Sequence, residues 1–359
     1  MLIYFAILFV VLILVFASNN VEDNPNLEKI IFYSSSFILI LFAGLRANIV
    51  GTDTNNYISM FLSKNNQEQS IFEIEGNIEI GYLFLQQIAY FVSSKYWSIL
   101  TLIAIVSVIP TYYVVRELTQ NVIISIFVYI TLGIYLLFFN AGRQGISVAI
   151  STVGLLYILD RSLVKYLLCL FIASLFHKTA LIMIPFYFII ILPFSTKRVL
   201  LFLVIGFFSF YFLSTILSSI SPDVESRYGV YEDRGATGGF LLAAFFIIVA
   251  LLFVGFRNEI SEENLYLYDI YLNLAIFTGI IYLVVILTGS DVNFIRITNY
   301  FAIGYALIWP IIFEDVRYFK SNSVKFGFVI IHLLFFAVYL SKMSNLVPYE
   351  INEIYLEWL

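Results

Sequence analysis

The stretch FNAGRQ, residues 139–144, decides how this chain is read. It separates two apolar runs, 122–139 and 145–159, and sets an arginine and a glutamine where one membrane helix ends and the next begins. Two other interruptions share this character: FHKTA at 176–180 and NFIRITNY at 293–300. Either they are loop punctuation or they belong to one site.

The composition around them is 61% hydrophobic, 18% aromatic and 12% charged, with mean hydropathy +0.96. Soluble domains carry about 25% charged residues, and a water-soluble fold of 359 residues has no room to hide so much apolar surface. The apolar runs are continuous and lack the strict alternation of a barrel strand, so the expectation is an all-α, polytopic membrane helix bundle. The formal net charge of −5 says little about nucleic acid, but no basic stripe is present and no nucleic-acid partner is expected. The single cysteine, Cys169, lies in an apolar run and reads as a small buried hydrophobe. The first stretch, MLIYFAILFVVLILVFASNN, lacks a basic leader and a good cleavage site at Ala17-Ser18-Asn19, and reads as a retained first span.

About 20 apolar residues cross a hydrocarbon core of roughly 30 Å. Candidate spans are 2–17, 30–45, 97–115, 122–139, 145–159, 164–176, 179–193, 198–218, 239–256, 266–288, 294–313 and 324–341, twelve in all. The short ones suggest ends sunk in a hydrated cavity. Segment 80–94, with Gln86 and Gln87 in its middle, reads as an interfacial or re-entrant helix following an outward loop, 46–79, within one membrane domain, 1–359. Alternate loops carry Arg116; Arg161 and Lys165; Lys197 and Arg198; Arg257; and Arg317, Lys320 and Lys325, and these are the cytoplasmic loops. NAGRQ, FHK, 219–238 and 289–293 then face outward, with both termini outside.

The outward cations Arg46, Arg143, Lys178, Arg227, Arg234 and Arg296 run against the positive-inside bias, and a charge at that depth is a functional hypothesis. No Walker loop, dinucleotide-binding glycine fingerprint, HExxH or Cys/His metal spacing is present, so no metal and no cofactor are expected. His177 and His332 are the only histidines, and His332, inside an apolar run, reads as a hydrogen-bonded packing residue. RGATGG at 234–239 reads as a flexible hinge, and the acidic tract with Glu68, Glu73, Glu75 and Glu79 as a solvated face. Arginine donates two parallel hydrogen bonds to phosphate, so the outward cluster suits a diphosphate head group on a lipid. Arg46 can equally be an interfacial snorkeller. Arg296 lies inside an apolar segment and needs a partner, for which Asp291 is a candidate. Asp53 can serve as a general base or bind sugar hydroxyls, and Tyr57, Tyr228 and Tyr300 can stack on sugars.

These motifs together resemble one family. RANIVGTDTNNYISMF at 46–61 and EIGY at 79–82 resemble the first-loop signature of the EpsG family, the Wzy-like polymerases of exopolysaccharide and O-antigen. FNAGRQGISVAI at 139–150 resembles its Asn-x-x-Arg-Gln motif, though Gly142 stands where the family often carries a bulkier apolar residue. IASLFHKTALIMIP at 172–185, RITNYF at 296–301 and VPYE at 347–350 resemble its later motifs. The resemblance implies joining of oligosaccharide repeat units carried on undecaprenyl diphosphate. It places this at the outer face of the inner or cytoplasmic membrane of a bacterium, facing periplasm or exterior, amid membrane lipids and with a possible chain-length regulator as partner. It also suggests a looser kinship with GT-C-like glycosyltransferases.

On that reading an acceptor hydroxyl attacks the donor's anomeric carbon and lipid diphosphate leaves. Arg143 and Arg296 stabilise the leaving charge, with Arg46, Arg227 and Lys178 as further ligands. Gln144 orients a phosphate or hydroxyl, and either His177 or Asp53 is the base. The alternatives are an O-antigen ligase-like enzyme or a transferase moving one sugar from a lipid carrier, and, in another class, a transporter or flippase of lipid-linked glycan. A flippase fits less well, because the charges sit at outward boundaries and the halves look unrelated.

Overall fold

The structure is a computed structural model that describes residues 1–21, 24–65, 78–220, 240–288, 292–342 and 344–352. Among the described residues the regular elements are helices: α1 (Leu2–Asn19), α2 (Pro25–Gly44), α3 (Thr54–Asn65), α4 (Ile80–Val92), α5 (Trp97–Leu118), α6 (Val122–Thr131), α7 (Leu137–Asn140), α8 (Gly142–Leu159) and α9 (Leu163–Ser174). There follow a 3-10 segment (Lys178–Met183), α10 (Phe186–Ile189), α11 (Thr196–Ile220), α12 (Phe240–Glu259), α13 (Glu262–Thr288), a second 3-10 segment (Val292–Tyr300), α14 (Ile303–Asp315) and α15 (Asn322–Lys342). Among the described residues the only β pairing is an isolated antiparallel bridge, Arg46 to Ile351. What the sequence reads as one membrane domain groups into two compact units, residues 1–187 with 328–359, and residues 188–327.

In the first unit α2 and α5 run antiparallel. Asn24 caps α2 by accepting from the Leu27 N–H, with Pro25 at the first helical position. Glu28 in that first turn then meets Arg116 in the last turn of α5, 2.6 Å apart, each at the helix end where its charge is favoured. At the other end Gly44 lies so close to α5 that a Cβ would sit 2.3 Å from the Thr101 hydroxyl. Thr101 and Trp97 therefore share an end of the unit with Gly44. Glu79 lies at that end too, since it contacts the 139–144 hinge described below. Both ends of α4 thus lie at the same end of the unit. Its 13 residues rise only about 20 Å, short of a bilayer core. Ile80, Phe84, Ile88 and Phe91 form an exposed apolar stripe, while Gly81, Tyr82, Leu85, Gln86 and Ala89 face inward.

The expected twelve crossings are not twelve long helices. Among the described residues seven are long and apolar enough to cross a membrane, α1, α2, α5, α8, α12, α13 and α15, and the pair Phe294–Tyr300 and Ile303–Asp315, bent by 46°, makes eight if it is one span. Run 122–139 breaks after α6, because Gly133 takes φ +75° and Tyr339 packs where its Cβ would be, 2.7 Å away. The turn meets its backbone needs locally, with Gly133 N–H donating to Ile130 and Tyr135 N–H to Tyr129. Run 164–176 yields the twelve-residue α9, and 179–193 only a 3-10 segment and the four-residue α10. His332 behaves as its position in an apolar run implies: it is buried, with Nδ1 3.0 Å from the Thr131 hydroxyl.

In the second unit α13 is the buried organiser. Asp269 accepts from Arg257 at 2.7 and 2.8 Å and from the Phe194 N–H at 3.0 Å. Asn273 donates to the Ile190 and Leu192 carbonyls, so one face of α13 holds the turn that leads into α11.

The α4 placement predicts same-side labelling. With Cys169→Ala as background, Asn56→Cys and Lys95→Cys should react with a membrane-impermeant thiol reagent from the same side of intact cells. Labelling from opposite sides would mean that α4 crosses.

Candidate active site

The FNAGRQ hinge is where distant segments of the first unit meet. The 46–54 loop docks on it. Gly51 has φ +99°, and a Cβ there would lie 2.3 Å from the Phe139 carbonyl oxygen, so glycine is required twice over. Thr54 donates to the Val50 carbonyl at 2.7 Å and contacts that of Phe139 at 3.2 Å. Asn140 accepts from the Thr52 N–H at 2.9 Å and donates to the Ser344 carbonyl at 2.7 Å. The 344–352 segment closes the far side: Ala47 N–H donates to Glu350, Asn352 N–H to Leu45, and the Tyr349 ring stacks on Phe42 at 4.2 Å. RANIVGTDT, FNAG and VPYE are thus parts of one junction.

From this junction α8 starts at Gly142. Its bareness admits the Tyr57 ring, since a Cβ would lie 3.0 Å from Tyr57 Cε2. The Arg143 N–H donates to the Tyr57 hydroxyl at 3.4 Å, and the Arg143 guanidinium lies 6.0 Å from the Tyr82 ring centroid. Its Nη1 is 2.6 Å from Oε2 of Glu79. The other oxygen of Glu79 is 3.2 Å from Nδ1 of His177. Glu79 therefore joins the arginine of NAGRQ to the histidine of FHK through one carboxylate, 9% exposed.

The EIGY motif makes this possible. Gly81 N–H donates to the Leu175 carbonyl at 2.8 Å, and a Cβ at 81 would lie 2.7 Å from that oxygen. The close approach brings the first turn of α4 against the end of α9 and sets Glu79 beside His177. Ser147, one turn along α8, donates to the His177 carbonyl at 3.3 Å and holds that residue from the other side. Burial pushes the Glu79 carboxyl upward, but the hydrogen bond from His177, its own backbone N–H and the field of Arg143 outweigh it and hold it at about 2. Tyr57 is pushed above its ordinary value, by burial first and then by the charge of Asp53, which places Asp53 in the same electrostatic neighbourhood.

The structure brings together Arg143, His177 and Tyr57, with Asp53 half-buried beside them, Gln144 buried in the same turn of α8, and Lys178 exposed next to His177. Arg46 departs from a ligand role. It is wholly buried, donates through Nη1 to the Ala43 carbonyl at 2.6 Å, contacts Thr54 at 3.4 Å and lies 4.5 Å over the Phe139 ring. A side chain so enclosed ties loop to hinge. Arg296, exposed, and Tyr300, buried, lie in the second unit. Arg227, Tyr228, Arg234, Asp291 and the 234–239 glycine run lie outside the described residues. Glu79 is the residue that sequence reading misplaced: it is no solvated face. The available signal was its position, directly ahead of the apolar turn Ile80–Tyr82 rather than within the polar tract.

A multi-pass helical membrane protein with an arginine–carboxylate–histidine cluster at helix ends is thus defined. The EpsG family model matches residues 29–351, nearly the whole chain, and the protein belongs to the EpsG family. No curated protein and no solved structure matches it.

Two outcomes follow from this geometry. Gly81→Ala forces a methyl group against the Leu175 carbonyl and should cost about 1–3 kcal/mol of stability, read as a lower melting temperature; an unchanged melt would contradict the packing. Because the Glu79 carboxyl titrates below its ordinary 4.5, its contribution is complete above that pH and is lost as pH falls toward 2. The melting temperature of Glu79→Gln should therefore fall less than wild type over that acid range.

Proposed function

We propose that this chain joins oligosaccharide repeat units carried on undecaprenyl diphosphate, with lipid diphosphate as leaving group, at the outward face of a bacterial inner or cytoplasmic membrane. Membership in the EpsG family supports a Wzy-like polysaccharide polymerase in general. The observation that carries the finer reading is the convergence of Arg143 and His177 on Glu79. A cation for developing negative charge and a group able to take a proton lie in one cluster.

The chemistry needs both. As the anomeric C–O bond breaks, charge collects on the diphosphate, and a fixed guanidinium there acts on the transition state rather than on the ground state. The first turn of α8 adds the partial positive charge of a helix N-terminus beside Arg143. His177 is suited to accept the proton of the acceptor hydroxyl near neutral pH. Asp53, Tyr57 and Gln144 supply hydrogen-bonding groups for sugar hydroxyls or the acceptor. Arg296, Arg227, Lys178, Tyr228 and Tyr300 are proposed as further contacts to diphosphate or glycan. No metal is required, because arginine can supply the positive charge.

The test is surface glycan length in a deletion strain complemented with variants at matched protein level. Arg143→Ala and His177→Ala should each lower polymerisation by about 100-fold or more, leaving single repeat units on lipid. Arg46→Ala should instead lower the amount of folded protein. Wild-type chain lengths with both Arg143→Ala and His177→Ala would contradict the assignment, and accumulation of unattached long polymer in the deletion strain would identify a ligase.

A further inference from the structure

Glu79 has two oxygens with two different partners, and these partners have opposite needs during glycosyl transfer. Oε2 lies 2.6 Å from Nη1 of Arg143, the position a phosphate oxygen takes on a guanidinium. An arriving diphosphate therefore competes with an internal carboxylate for the same nitrogen. Oε1 lies 3.2 Å from Nδ1 of His177. With Nδ1–H directed at a carboxylate, the lone pair of the ring resides on Nε2, the nitrogen left for substrate. A carboxylate there also steadies the imidazolium that forms when Nε2 takes a proton. The placement is built in rather than incidental: Gly81 locks this turn against the Leu175 carbonyl, and the Glu79 carbonyl receives the Tyr82 and Leu83 N–H groups at 3.1 and 3.2 Å.

We infer that Glu79 is a positioning residue that weakens diphosphate binding at Arg143 while strengthening His177 as the base, an inference that rests on the glycosyl-transfer reading above. In the step, the acceptor hydroxyl oxygen forms a bond to the anomeric carbon. The bond from that carbon to the diphosphate oxygen breaks, and its electron pair leaves with the diphosphate, held by Arg143. The hydroxyl proton moves to Nε2 of His177, the imidazolium is held by Glu79, and the proton then passes to water. Glu79 is displaced from Arg143 while diphosphate is bound and returns when it leaves, which favours product release.

This predicts an unusual split for Glu79→Gln, which keeps the shape and loses the charge. Full-length wild type, Glu79→Gln and Glu79→Asp would be placed in lipid nanodiscs. Their binding of inorganic pyrophosphate and of undecaprenyl diphosphate would be measured, together with their turnover of lipid-linked repeat units extracted from the deletion strain. Glu79→Gln should bind both diphosphates more tightly, by about fivefold, while turnover falls by about 100-fold or more. Glu79→Asp should restore a substantial part of the turnover. Binding and turnover falling together in Glu79→Gln, with a lowered melting temperature, would show a structural role and overturn the inference, as would no change in either. If Glu79→Gln does not fold, Glu79→Ser takes its place with the same two readouts: tighter diphosphate binding with lost turnover supports the inference, and a parallel loss of both or no change in either overturns it. Wild type that neither binds pyrophosphate nor joins repeat units would instead refute the transfer reading itself.

Discussion

Asn140 is the constraint on which the site depends. Its side chain accepts from the Thr52 N–H and donates to the Ser344 carbonyl, so one amide joins three segments far apart in sequence. A helix that breaks within a membrane protein leaves backbone groups that lipid does not satisfy. Here the break is stabilised by drawing the 46–54 loop and the 344–352 segment onto it. The Phe139 carbonyl is met by Thr54, and Gly51 removes the Cβ that would otherwise collide with it. Only with this junction formed does α8 begin at Gly142 and point Arg143 toward Glu79.

The second requirement is electrostatic. A carboxylate as enclosed as Glu79 survives only if its charge is matched, and Arg143 matches it from the first turn of α8 while Nδ1 of His177 lies in hydrogen-bond reach of its other oxygen. The three groups preorganise one another: the carboxylate sets the guanidinium and the imidazole, and they hold it ionised. Arg46 shows the contrasting solution. It is buried completely, and its hydrogen bonds to the Ala43 carbonyl and Thr54 and its place over the Phe139 ring are spent on holding the loop. Two arginines that read alike at span boundaries thus serve different ends, according to whether the packing encloses them.

Much of this was legible in the residues. Continuous apolar runs implied helices, and the like character of NAGRQ and FHK implied that they would meet. Three things were not legible. The break in run 122–139 was not legible because hydropathy does not register a glycine at positive φ with a tyrosine ring against it. Glu79 was hidden because a carboxylate at the end of an acidic tract reads as a solvated one until the close approach of Gly81 to Leu175 is seen. Arg46 was ambiguous because a boundary arginine can turn toward ligand, water or protein with equal sequence support.

The central claim is that Arg143 is a diphosphate site held in reserve by Glu79. The most direct measurement is a cryo-EM structure of the full chain in nanodiscs saturated with undecaprenyl diphosphate. The account predicts diphosphate density within hydrogen-bond distance of the Arg143 guanidinium, with the Glu79 carboxylate moved off Arg143 and still on His177. Diphosphate bound elsewhere, with the Arg143–Glu79 pair intact, would contradict it.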